Sequence, residues 1–235
     1  MPQYEVTFHK HSCFQIEDAQ CVFLFDWFDE QPPVLDGRKM IYILNSHKHA
    51  DHYNASLLQL ADQYERIQFV FSREIKMPKE DARFLSVKRN GSYELAGLVP
   101  LHLETLPSTD IGVAFLLQYG RQVFYHAGDL NWWSWSGESY SWNRNMEARF
   151  QQIMQRLEGM AIDLAFVPLD PRLEERFSWG FDYFLQHTQA SYVFPMHLWG
   201  QLDTIARWKE LPQSSKYQQC VQDIQRQGQK FMIQL

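Results

Sequence analysis

Cysteine is scarce in this chain. Cys13, Cys21 and Cys220 are its only three among 235 residues. Their odd number and the lack of any CxxC spacing exclude a disulfide framework and a thiolate metal site. Long apolar runs are missing too. The longest resemble Met40–Leu44, far short of the roughly 18 residues of a membrane span, so no membrane partner is expected. Positive charge is not in surplus. Twenty-two Lys and Arg face 28 Asp and Glu, for a net charge of −6, and no basic run stands out, which argues against nucleic acid as a partner. The opening Met1-Pro-Gln-Tyr-Glu-Val has neither the basic flank nor the apolar stretch of a signal peptide, so a soluble, cytoplasmic protein is expected. No internal repeat, low-complexity stretch or linker interrupts the chain, and residues 1–235 read as one domain. What is plentiful is aromatic: 15% of residues, with eight Trp. Nine His are placed very unevenly.

Short runs rich in Val, Ile, Phe and Tyr dominate the first half. Tyr4–Phe8, Phe14–Glu17, Val22–Asp26, Met40–Asn45, Gln68–Phe71, Phe84–Lys88, Leu98–Glu104, Val113–Tyr119 and Gln122–Tyr125 read as strands. Ala55–Tyr64 spaces its apolar residues as a helix does. Later the period changes. Met146–Leu157, Phe181–His187 and Tyr217–Gln227 read as helices, the last capped by Gly228, while Leu164–Val167, Tyr192–Met196 and Lys230–Leu235 read as strands. Strands followed by strand–helix alternation imply a layered α/β domain.

The strongest chemical signal is Ser46-His47-Lys48-His49-Ala50-Asp51-His52, directly after an apolar run. Imidazole and carboxylate suit zinc and similar divalent ions, and a compact turn can aim several at one point. Three other apolar runs end the same way: Val22–Phe25 in Asp26, Val123–Tyr125 in His126-Ala127-Gly128-Asp129, and Tyr192–Met196 in His197. Ligands of open α/β sheets gather at strand carboxyl ends, so these ends can converge on one cleft. Asp129 or His197 alone would read as a turn residue; the joint pattern reads as a metal site.

Taken together, these residues resemble the metallo-β-lactamase superfamily of metal-dependent hydrolases. The small size is closest to the ascorbate-6-phosphate lactonase-like branch. The resemblance implies an αββα sandwich, two packed mixed sheets with helices outside and the metals at one edge. It implies that His47 and His49 bind one ion, that Asp51, His52 and His197 bind a second, and that Asp129 bridges them. One or two divalent ions are expected, zinc first, with manganese or iron as alternatives. The sequence departs from the pattern at Thr105–Gly112, where Ser108 stands at the place of a further histidine. Restoring a histidine there is expected to tighten the His47/His49 site. His102 and His126 are the substitutes, and His126 reads best as a neighbour that orients ligands.

A metal lowers the pKa of its water towards ~7, and the resulting hydroxide attacks a carbonyl carbon or phosphorus. Asp51 and Asp129 are then the catalytic residues, accepting a proton or orienting the nucleophile. The expected function is hydrolysis of a small ester, lactone or phosphodiester. An iron-dependent oxidoreductase and a non-catalytic protein with a partly decayed site are the alternatives. The partner is a small-molecule substrate, and a homo-oligomer is left open. Trp132 to Trp142 fits both an aromatic wall over the metals and a packed corner. Asp170 and Arg172 read as a turn residue and a surface salt bridge, with a role at the cleft as the alternative. His9 and His11 read as structural, with the cleft edge as the alternative.

Overall fold

The computed structural model describes residues 2–78 and 80–235. Two sheets face each other. The first holds seven strands in the order β13-β1-β2-β3-β4-β5-β6: β1 (Gln3–Lys10), β2 (Cys13–Glu17), β3 (Cys21–Phe25), β4 (Met40–Asn45), β5 (Ile67–Ser72), β6 (Phe84–Val87) and β13 (Gln229–Gln234). The second holds six in the order β12-β11-β10-β9-β8-β7: β7 (Ser92–Leu95), β8 (Leu101–Pro107), β9 (Val113–Tyr119), β10 (Gln122–His126), β11 (Ala161–Pro168) and β12 (Gln189–Met196). Both are mixed. β3 to β6 and β10 to β12 run parallel, and the remaining pairs are antiparallel.

Parallel β3 and β4 read as nearly unbroken apolar runs, because both their faces are covered. The two-residue period divides them between two cores. Phe23, Phe25, Tyr42 and Leu44 point between the sheets. Val22, Leu24, Ile41 and Ile43 point outward against Leu57 and Leu60. Aromatic pairs zip the layers together, with Phe14 4.6 Å from Phe166 between ring centroids and Phe23 5.9 Å from Phe124. The helices are α1 (Leu60–Gln63), α2 (Tyr140–Met154), α3 (Trp179–His187) and α4 (Asp203–Lys209). This is the expected αββα sandwich. No helix among the described residues is long and apolar enough to cross a membrane.

Two expected helices differ, and two elements were not expected. Ala55–Tyr64 forms a 3-10 turn, Ala55–Gln59, before the single turn of α1. β7 and α4 emerge from stretches to which the sequence assigned no element. Tyr217–Gln227 is not a helix. Val193 N donates to Cys220 O at 2.8 Å and Gln222 N donates to Val193 O at 2.8 Å, so the segment pairs with the edge of β12. Tyr217, Val221 and Ile224 mimic helical spacing, but an open parallel edge offers better partners than a marginal short helix.

Candidate metal centre

The strand ends meet at one edge of the sandwich. Asp26 follows β3, residues 46–52 follow β4, Asp129 follows β10, Asp170 follows β11 and His197 follows β12. Two groups of side chains form there. His47, His49 and Asp129 make one; His11, Asp51, His52 and His197 make the other, with the ligand-type atoms of each group within 4.8 Å of one another. Asp129 faces both: its Oδ2 is 3.3 Å from His47 Nε2, and its Oδ1 is 3.1 Å from His52 Nε2 and 3.3 Å from His197 Nε2. All six residues expected from the sequence are thus in the cluster.

Hydrogen bonds orient the imidazoles. A carboxylate only accepts, so an Nδ1 bonded to one donates to it, which fixes the ring and turns Nε2 towards the cluster. His52 Nδ1 donates to Asp26 Oδ2 at 2.7 Å, and His197 Nδ1 donates to Asp170 Oδ2 at 2.8 Å. His47 Nδ1 lies 2.9 Å from Ser46 Oγ, whose own proton goes to Asp26 at 2.7 Å, so the hydroxyl accepts from the ring. Nε2 of His11, His47, His52 and His197 and Oδ1 of Asp129 are buried without a hydrogen-bond partner. Buried polar atoms almost always have partners, and five partnerless ones gathered in two adjoining groups fit cations. The donors are imidazoles and carboxylates, a set that suits zinc, iron and manganese.

Charge supports the same picture. Burial alone would raise the pKa of Asp129, yet His52 and His197 hold it well below the ordinary value. Burial likewise opposes charge on His52, but Asp129 and Asp26 raise its pKa well above the usual imidazole range. His197 is raised by Asp129 and Asp170 in the same way. His11 goes the other way: burial, helped by His197 and His52, pushes it down to about 4, so its ring is neutral near pH 7.

Backbone strain sits here as well. His11, Asp26 and His197 have φ of 50°, 48° and 63°, conformations that non-glycine residues adopt at a cost. Gly112 and Gly128, also at positive φ, pack on the β4 end. A Cβ on Gly112 would lie 2.1 Å from Ser46 O, and one on Gly128 2.7 Å from Ser46 Cβ. These close approaches bring the β8–β9 and β10–α2 turns against Ser46-His47.

Several expectations change. Of the two readings of His11, the cleft edge holds: its Nε2 is 3.3 Å from Asp51 Oδ2 and its ring centroid 4.2 Å from that of His197. His9, by contrast, lies near Gln15 and Trp27, away from the cluster. Asp170 is fully buried and holds His197 rather than a mere turn. Both were findable, because each sits just past a strand end. His126 is no ligand: Nε2 donates to Ser12 O at 2.9 Å and Nδ1 accepts from Gly128 N at 3.2 Å, which ties down the turn carrying Asp129. His102 lies on β8 at 2.6 Å from Glu94, outside the cluster. Ser108 is fully buried, and its Oγ accepts from Asp110 N at 3.1 Å.

A cavity of about 490 Å³ opens over the cluster. Trp133, Trp135, Trp142 and Trp199 wall it, and Arg149 and Arg172 line it. The aromatic segment therefore divides. Trp133 also braces the site, donating from Nε1 to Asp129 O at 2.9 Å, while Trp132 packs on Phe150 and Trp179. Arg172 pairs with Asp170 at 2.6 Å and lies over Trp199.

The model of the beta-lactamase superfamily domain matches residues 5–133. The chain belongs to the metallo-β-lactamase superfamily. Its fold is similar to that of Igni18, a metallo hydrolase from the archaeon Ignicoccus hospitalis, at 14% identity, 99% of both chains and a TM-score of 0.63. It is similar to the metallo-β-lactamase fold protein YhfI from Bacillus subtilis, at 13% identity, 99% of this chain, 100% of that one and a TM-score of 0.58. CmlA, a diiron β-hydroxylase from Streptomyces venezuelae, shares the fold over 100% of this chain and 54% of its own, at 11% identity and a TM-score of 0.58. No curated protein matches the chain by sequence. Superfamily membership and the donor cluster together make this a metallo-hydrolase fold with a candidate metal site.

Proposed function

We propose that this protein is a metal-dependent hydrolase of a small ester, lactone or phosphodiester, with two ions held by His47, His49, Asp129 and by Asp51, His52, His197, His11. The observation that carries the reading is the convergence of partnerless Nε2 atoms on the two carboxylate oxygens of Asp129. When bound, divalent ions supply Lewis acidity, polarising a carbonyl or phosphoryl oxygen and making water nucleophilic near neutral pH. The chain does the rest. Asp129 sets the spacing of the two sites. Asp51, half-buried and held ionised beside His11 and His52 although burial opposes it, is placed to orient a nucleophile or take its proton.

The tryptophan walls exclude water and offer apolar faces to a substrate. Arg172 and Arg149 suit an anionic group at the cavity mouth, which a phosphorylated sugar lactone or a phosphodiester carries. The test is turnover of chromogenic esters, lactones and bis(p-nitrophenyl) phosphate by protein loaded with zinc, manganese or iron. One class should be hydrolysed, and Asp129→Ala should abolish it while remaining folded. Two bound ions and no turnover of any class would defeat the reading. Iron dominating the purified protein would favour an oxidoreductase, since the same donors suit non-haem iron.

A further inference from the structure

We propose that Asp110 is a fourth ligand of the His47/His49 ion, taking the place where the family resemblance implies a histidine; this rests on the metal-binding reading above. Three residues were candidates for that place, and each is committed elsewhere. Ser108 Oγ accepts the Asp110 amide, both ring nitrogens of His126 are used, and His102 sits on the outer strand beside Glu94. Of the imidazoles and carboxylates lining the cavity among the described residues, Asp110 alone lies outside the two groups.

Its geometry suits the role. Asp110 Oδ2 is 3.7 Å from His49 Nδ1. Two donors bound tetrahedrally to one ion at about 2.0–2.1 Å lie about 3.4 Å apart, so the separation from His49 is near that of two ligands of one ion, and ligation requires the half-exposed side chain to turn further towards His47 and Asp129. The loop that carries Asp110 is anchored to the same elements as His47. Arg89 donates from Nε to Gly112 O at 3.1 Å and from Nη2 to Asp110 O at 3.3 Å, and Val113 N donates to Ser46 O at 3.0 Å. The half-exposed Asp110 side chain forms no ion pair other than this one with His49 among the described residues.

The ligand set then becomes two imidazoles and two carboxylates, one of them shared. Harder oxygen donors shift the balance from zinc towards manganese or iron, compared with a three-histidine site. The test uses the full chain stripped with chelator and titrated with Zn²⁺, Mn²⁺ and Co²⁺ against a competing dye, with elemental analysis and cobalt visible spectra. Asp110→Ala and Asp110→Asn should weaken one of two ions by roughly tenfold or more, at least the loss that outer partners of ligands cause. The second ion should be unaffected. Asp110→His should restore binding and favour zinc over manganese. Wild-type affinity for both ions and an unchanged cobalt spectrum in Asp110→Asn would overturn the inference while leaving the metal site standing. A wild-type chain that binds no ion would overturn both. Asp110 packs into no core, and unchanged thermal unfolding of the stripped variants checks that they are folded.

Discussion

Asp26 touches no substrate and is expected to hold no ion, yet Asp26→Asn should cripple metal binding. The carboxylate is fully buried and accepts three hydrogen bonds, from Ser46 N, Ser46 Oγ and His52 Nδ1, each at 2.7 Å. Asparagine keeps the volume and tolerates the positive φ of this position, so the backbone has no reason to move. One of its two polar ends, however, can only donate. If the amide group faces His52, Nδ1 can no longer donate to it, and the ring loses the bond that turns Nε2 towards the metal. If it faces Ser46 N instead, two buried donors oppose each other at a cost of about 1–3 kcal/mol. Either outcome should cost about 10–100-fold in affinity, or about 1.4–2.7 kcal/mol. Dye competition on chelator-stripped protein reads the affinity, and circular dichroism checks the fold. Wild-type affinity in a folded Asp26→Asn protein would refute the orientation argument.

Asp129→Ala should lose both ions, whereas His187→Ala, which removes a ring stacked on Tyr183 away from the cluster, should lose none; equal losses in elemental analysis would point to general destabilisation. Gly128→Ala combines a positive φ of 51° with a Cβ 2.7 Å from Ser46 Cβ; at about 1–2 kcal/mol for the backbone alone, and about 2–4 °C per kcal/mol for a chain of this size, its Tm should fall by several degrees, and an unchanged Tm would sink the packing account. Ser108→His places a large ring at a fully buried turn position, so it should lower Tm rather than tighten an ion; a tighter ion with an unchanged Tm would show that the turn can open. His52 and His197 have raised pKa values in the folded protein, so they hold protons that a metal must displace. Affinity should therefore weaken as pH falls from 8 to 6, while the stability of stripped protein that these protons confer is lost as pH rises through the raised values. Calorimetry in buffers of different ionisation heat should detect the released protons, and buffer-independent heats would contradict this.

Most of the strand pattern, the layered α/β class and the six residues that meet in the candidate cluster were legible in the chain. The reason is local. An apolar run buried on both faces reads as a strand wherever it lies, and a ligand placed just past its end marks the sheet edge. His47, His49, Asp51 and His52 share one turn, so sequence alone brings them together. The contacts of His11, Asp110 and Asp170 came only with the tertiary structure, as did those that commit His102, Ser108 and His126 elsewhere. Each depends on which neighbour a side chain meets across two sheets. Asp170 became a partner of His197 because parallel β11 and β12 end side by side, in the register that pairs Pro168 with Met196. The 217–227 segment failed as a helix for the same reason. Its partner, the open edge of β12, lies more than twenty residues away, and local spacing carries no information about an edge that only the finished sheet exposes.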